Sequence, residues 1–132
     1  MTNDSIGRDP EALRYISKAT GANIIMGSGR YIEASLTEEQ KKMDSKDIAK
    51  EIVEEFTNGV KETGIKPGVI GEVGVANIKN KIEIKSLRGA AKAQNKIGCA
   101  INVQPPIWET QGNKILRNGG TRVQERPKGW RI

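Results

Sequence analysis

Apolar residues recur at three- and four-residue intervals in three stretches of this chain, and a short, nearly continuous apolar run follows each. In the first stretch Asp9 precedes Pro10 and Glu11, and Leu13, Ile16 and Ala19, with Ala12, then share a face before Gly21. An acidic cap, a proline in the first turn and a glycine stop predict a helix of about three turns. The second stretch begins at Asp44 or Ser45 and carries Ile48, Ala49, Ile52, Val53, Phe56 and Val60 as one stripe. Gly64 is expected to end it, with Pro67 preventing continuation. The third runs from about Asn80 to Ile97, with Leu87, Ala90, Ala91, Gln94 and Ile97 at helical spacing and Gly98 as its stop. Gly89 falls inside this run and weakens it as a helix.

The apolar runs between these helices are Ala22–Met26, Gly68–Gly74 and Cys99–Val103, the last ended by Gln104, Pro105 and Pro106. Their length and flanking glycines predict buried strands. Strict alternation would put Val69, Gly71 and Val73 on one face of the second strand and Ile70, Glu72 and Gly74 on the other. Helix, strand, helix, strand, helix, strand is the order of parallel strands joined by right-handed crossovers. The expected fold is therefore α/β, a thin open sheet of about three parallel βα units. The first seven residues are polar and are expected to fray. The connection from Gly27 to Asp44 is long, which in a compact domain often marks function, and Thr37 with Gln40 matches a capping box inside it.

The pattern fails after Leu116, beyond a helical turn or two over Trp108–Leu116. Residues 1–116 read as the folded segment and 117–132 as an irregular basic tail. Residues 1–112 carry 16 Lys/Arg against 15 Asp/Glu, whereas residues 113–132 carry six against one, so nearly all of the +6 charge sits in the tail. Such a tail can meet phosphates electrostatically, with Trp130 stacking on a base, so a basic nucleic-acid-binding module stands as the lesser alternative reading. The apolar runs are far shorter than a membrane span and no secretory signal opens the chain, so a cytoplasmic location is expected. Cys99 is the single cysteine, in an apolar run that suits a buried, inert thiol.

The chain has no histidine. That removes the commonest metal ligand and general base, and leaves Ser28 without a partner for nucleophilic catalysis. Gly27-Ser28-Gly29 and the glycines of Gly68–Gly74 do not fit a phosphate-binding loop and read as turn glycines. Glu72 is the candidate that stands out. It is either a site residue at the C-terminal end of a strand, where functional groups gather in such folds, or a carboxylate that is solvated or paired with a lysine. Tyr31 lies just beyond the end of the first strand and is a candidate pocket residue.

Four ordered segments resemble the phosphotriesterase-related family, metal-dependent hydrolases of the amidohydrolase superfamily. They are Gly-Arg-Asp-Pro-Glu-Ala-Leu-Arg (7–14), Ala-Thr-Gly-Ala-Asn-Ile-Ile-Met-Gly-Ser-Gly-Arg-Tyr (19–31), Gly-Val-Ile-Gly-Glu-Val-Gly (68–74) and Ile-Asn-Val-Gln-Pro-Pro (101–106). The resemblance runs from about Ile6 to Leu116. It implies part of a (β/α)₈ barrel, roughly its third, fourth and fifth strands. It also implies a two-metal centre, usually zinc, that activates water for ester, lactone or phosphotriester hydrolysis. Glu72 matches the position of the bridging carboxylate, and Gln104 stands where the family has a histidine. The other ligands lie on strands outside this sequence. The chain alone is therefore expected neither to bind zinc tightly nor to turn over substrate. Exposed sheet edges would favour homo- or hetero-oligomers. The change of pattern near Arg117 suggests a shifted reading frame, an expectation that the encoding DNA can test.

Overall fold

The computed structural model describes residues 2–106. The expectations for Trp108–Leu116 and for the tail, including Trp130, fall outside them. Helix α1 spans Pro10–Thr20, strand β1 Gly27–Ser28, helix α2 Glu38–Lys42, helix α3 Ser45–Asn58, strand β2 Val69–Gly74, helix α4 Lys81–Ile97 and strand β3 Ile101–Gln104. The strands form one sheet in the order β1-β2-β3, both pairs parallel. The expected α/β alternation is present.

The helix boundaries follow local chemistry. Asp9 accepts from the backbone of Ala12 and caps α1, which ends at Gly21 with φ 71°. Thr37 and Gln40 form a reciprocal capping box at α2. Asp44, rather than Ser45, caps α3, its carboxylate accepting from the N–H groups of Lys46 at 2.6 Å and Asp47 at 2.9 Å. The Asp47 and Lys46 bonds hold the Asp44 carboxyl below the ordinary aspartate range. Because the folded form is the more acidic, this contribution is present above the unfolded value and disappears as pH falls through the folded one. Replacing Asp44 by asparagine, itself a good cap, should leave the urea midpoint near pH 7 almost unchanged. The same change should flatten its decline below about pH 4. Midpoints measured across that range in both proteins check this.

The core lies between the sheet and the α3–α4 pair. Ile48, Ala49 and Ile52 of α3 meet Ile84, Leu87, Ala90 and Ala93 of α4 and the strand residues Ile70 and Val73. Gly89 weakens α4 in isolation but permits this packing. A Cβ there would lie 2.6 Å from Ile48 Cγ2 and 3.2 Å from the Ser45 carbonyl oxygen, so the two helices approach at the distance a missing side chain allows.

Four expectations are corrected. Ala22–Met26 is not a strand. The paired residues are Gly27 and Ser28, where the glycine pattern predicts a turn, and Ile24 and Ile25 are exposed. Only the Met26 carbonyl reaches β2, accepting from Gly68 N–H at 3.0 Å, so the segment lacks the ladder that would make it a strand. Helix α1 has the expected apolar face, yet none of its residues is buried. Helix α3 stops at Asn58 rather than near Gly64, because Gly59 turns the chain and Val60 N–H then donates to Ile65 O. The strict alternation in β2 fails, since Ile70, Val73 and Val75 all enter the core. A register shift between Ile70 and Val73, around the cis Gly71–Glu72 peptide, changes which face the later residues present. Finally, the N-terminal residues do not fray: Asn3 is fully buried.

Candidate site at the C-terminal rim of the sheet

In a parallel sheet the loops that follow the strands collect at one rim, and that rim is where the three candidate residues lie. β2 carries Glu72, the segment after β1 carries Tyr31, and β3 ends in Gln104. Gly74 and Gln104 are register partners across β2 and β3, and Val75 N–H donates to Gln104 O at 2.9 Å. The Tyr31 hydroxyl donates to Gln104 Oε1 at 2.6 Å, fastening the first strand's exit loop to the last strand across the top of β2. These two residues, with Ile32, Val75, Ala76, Pro105 and Pro106, line a cleft of about 170 Å³. Gly74 lies under the same crossing. A Cβ on it would come within 2.8 Å of Ile32 and 2.9 Å of the Tyr31 ring.

Glu72 stands apart from the cleft. It is half-buried, and among the described residues nothing donates a hydrogen bond to its carboxylate or forms an ion pair with it. Its backbone is anchored instead. Asn3 Nδ2 donates to Glu72 O at 2.7 Å, and Asn3 Oδ1 accepts from Ser5 Oγ at 2.7 Å and Ser5 N–H at 3.1 Å. Ser5 Oγ in turn accepts from Tyr31 N–H at 2.9 Å. A continuous run of hydrogen bonds therefore links the main chain of Glu72, through Asn3 and Ser5, to Tyr31 and so to Gln104. Every group in it is a donor or acceptor whose burial without a partner would cost about 1–3 kcal/mol. Sequence reasoning missed Asn3 and Ser5, because a polar terminal run carries no periodic signal.

Further buried polar groups hold the rim from behind. Glu83 is 2% exposed and accepts from Glu33 N–H at 3.1 Å and Asn77 N–H at 3.0 Å, tying the loops after β1 and β2 to the first turn of α4. Arg30 reaches Glu51 Oε2 at 2.5 Å and Met43 Sδ at 3.4 Å, and its buried Nε has no partner among the described residues. Arg8 grips Glu55 with both terminal nitrogens and donates to Gly27 O at 2.7 Å, while Ser28 Oγ donates to Glu55 Oε2 at 2.6 Å. Ser28, without a base, is thus a packing and hydrogen-bonding residue. Cys99 is half-buried against the core.

Among the described residues, the candidate donors at this rim are few. Glu72 offers one carboxylate, Gln104 offers a neutral amide oxygen already engaged by Tyr31, and tight zinc binding uses three or four nitrogen, sulfur or carboxylate donors. Among the described residues no group of three or more His, Cys, Asp or Glu side chains converges on one point. Nor is any described helix long and apolar enough to cross a membrane.

Comparison with known proteins gives a consistent result. The model of the phosphotriesterase family matches residues 1–122. An N-acetyltaurine hydrolase of Dictyostelium discoideum is 36% identical over 117 residues, covering 89% of this chain and 32% of that protein. A phosphotriesterase-related protein of Nematostella vectensis is 40% identical over 116 residues, covering 88% and 33%. Among solved structures, a resiniferatoxin-binding protein from Rhodobacter sphaeroides superposes with a TM-score of 0.86 at 40% identity, over 90% of this chain and 33% of its own. The phosphotriesterase homology protein from Escherichia coli, complexed with phosphate in its active site, gives 0.83 at 29% identity, over 91% and 41%. The chain spans about a third of the length of the curated relatives it matches.

Proposed function

Since the chain belongs to the phosphotriesterase family, we propose that it is the central βα segment of a metal-dependent hydrolase, acting on an ester, lactone or phosphotriester only when the rest of the barrel is present. In this reading residues 1–116 are the barrel segment, 117–132 a basic tail, and the protein works in the cytoplasm. The observation that carries the proposal is the state of Glu72. A carboxylate at the C-terminal end of the central strand is half-buried, held in place through its main chain, and left without a side-chain partner among the described residues. Its carboxylate is thus within reach of a ligand at the rim, while its main chain is held still.

The family's metals would supply an activated water, and the described residues of this chain offer them too few donors to be bound tightly. What its own residues supply is position. Asn3 fixes the Glu72 backbone, and the Tyr31–Gln104 bond sets the wall of the neighbouring cleft, where we place the side of the substrate pocket.

Calorimetric titration of the purified 132-residue chain with zinc should therefore show no stoichiometric binding in the submicromolar range, and ester, lactone and phosphotriester hydrolysis should stay at the buffer rate. Stoichiometric submicromolar binding would show that this chain alone builds the centre, and the proposal would fall. A second reading, that the chain is a non-catalytic interaction protein, draws on the exposed apolar residues beside β1. A bare zinc-free chain that associates with other proteins and gains no metal on doing so would favour it.

A further inference from the structure

We propose that the outer face of helix α4 is a binding surface for the phosphate backbone of duplex nucleic acid, engaged without regard to sequence. That surface is independent of any hydrolytic site. Residues 1–112 carry 16 Lys/Arg against 15 Asp/Glu, so by count they are almost neutral. The fold sorts those charges unevenly, and α4 is where the bases collect.

The bases of this helix are Lys81, Lys85, Arg88, Lys92 and Lys96, at intervals of four, three, four and four residues. That spacing puts all five on one face, in a row about 22 Å long. Lys81, Arg88, Lys92 and Lys96 are exposed and Lys85 is half-buried. The opposite face is spent in the core through Ile84, Leu87, Ala90 and Ala93. The helix has one acid, Glu83, two residues after Lys81 and therefore on the far side from the row. It is 2% exposed, and its carboxylate is held by Glu33 and Asn77 N–H.

The charges of the row are not cancelled by their own neighbours. Among the described residues none of the four lysines forms an ion pair. Lys85 Nζ donates to Lys41 O at 2.6 Å and Lys92 Nζ to Ser45 Oγ at 2.7 Å. Both acceptors are neutral, so these bonds hold the side chains in line and leave the charge uncompensated. Asp44 lies close enough to Lys92 to feel its charge, but its carboxylate is engaged by Lys46 and Asp47 N–H, and Lys46 adds a second cation beside it. A row of cations fits a partner of regular negative charge, and duplex DNA carries one charge per about 1.7 Å of its axis. A lipid surface fits less well, because a helix lying on a membrane inserts apolar side chains and those of α4 are in the core. α4 contains no aromatic residue on which a base could stack, which favours contact with a duplex backbone over the bared bases of a single strand. Residues 113–132, six bases to one acid, add to the same attraction.

Fluorescence anisotropy of a labelled DNA duplex of about 20 base pairs, titrated with the full 132-residue chain at increasing salt, should show binding whose log K falls linearly with log salt. Lys81→Gln, Lys92→Gln and Lys96→Gln together should reduce that slope by about 2–3 units and weaken binding at low salt at least about tenfold. Glutamine suits helices, so the unfolding midpoint by circular dichroism should stay near the parent's. The control is Lys18→Gln, Lys50→Gln and Lys66→Gln, three exposed lysines outside α4 that change the net charge equally. It should keep the slope within about one unit of the parent's, and residues 113–132 are the same in every protein. Absence of binding to the duplex overturns the proposal. Equal losses in the two triple variants overturn it as well, assigning the attraction to net charge or to the basic tail. Binding to vesicles containing phosphatidylserine but not to the duplex would make a membrane the partner and overturn it too. Should the α4 triple variant lose stability, Lys81→Gln with Lys96→Gln removes two side chains that hold no hydrogen bond among the described residues, and should lower the slope by about 2 units. An unchanged slope in that double variant overturns the proposal equally.

Discussion

Replacing Arg8 by alanine is expected to lower the unfolding free energy by about 3–5 kcal/mol, the cost of breaking a buried ion pair from one side. The Arg8 side chain is 2% exposed and that of Glu55 14%, so little solvent is present to screen the pair or take over from it. Two guanidinium nitrogens meet the two carboxylate oxygens, and one of them also satisfies Gly27 O. In the alanine protein Glu55 keeps only the Ser28 hydroxyl, and the β1 carbonyl loses its donor. Arg8→Lys keeps the charge but not the fork, and should fall between the two. The double change Arg8→Met with Glu55→Gln removes both charges and should recover part of the loss. Urea midpoints followed by circular dichroism give all four values. An Arg8→Ala midpoint within about 0.5 kcal/mol of the parent would show that the pair contributes little. Since a domain of this size is stable by only about 5–15 kcal/mol, the expected loss is a large share of the total.

The second large effect is expected at Gly59. Its φ of 92° and ψ of 168° belong to a region that glycine alone enters freely, and a Cβ there would lie 2.6 Å from Gly64 Cα, where the chain folds back on itself. The conformation costs another residue about 1–3 kcal/mol, and the collision is with backbone that cannot swing aside. Gly59→Ala should therefore cost about 3 kcal/mol or more. Gly64 is the control. Its φ is 66°, but no atom lies within 4 Å of an added Cβ, so Gly64→Ala should cost only about 1–2 kcal/mol for the left-handed conformation. If the two substitutions proved equal, the close return of the chain at Gly59 would be wrong.

Gly59 also shows where sequence reading stopped short. The apolar stripe of α3 runs on through Val60 and so predicts the stop at Gly64, with Gly59 inside it. In the folded chain Val60 is buried, as the pattern suggests, but it arrives there through a turn and a hydrogen bond to Ile65 rather than through another helical turn. The β2 alternation failed for a related reason. Period-two patterning assumes an uninterrupted ladder, and the register shift between Ile70 and Val73 moves Val73 and Val75 to the face that Ile70 already occupies. Glu72, inside that interruption, was legible as the odd carboxylate of an apolar run. Its anchoring by Asn3 was not, because two residues 69 positions apart share no local signal.

The sequence by itself determined the order of helices and strands, the caps at Asp9 and Thr37, the parallel α/β class and the family, since all of these rest on local spacing or on ordered motifs. Only the tertiary structure decided which apolar runs become strands and which candidate residues meet. Those outcomes depend on partners brought from far along the chain: β2 pairs with Gly27 and Ser28 instead of Ala22–Met26, and Tyr31 bonds to Gln104 across 73 positions while Glu72 is held through its main chain. A strand exists only where a neighbour completes its ladder, and a buried polar group keeps its place only where a donor or acceptor reaches it. Both conditions belong to the assembled sheet.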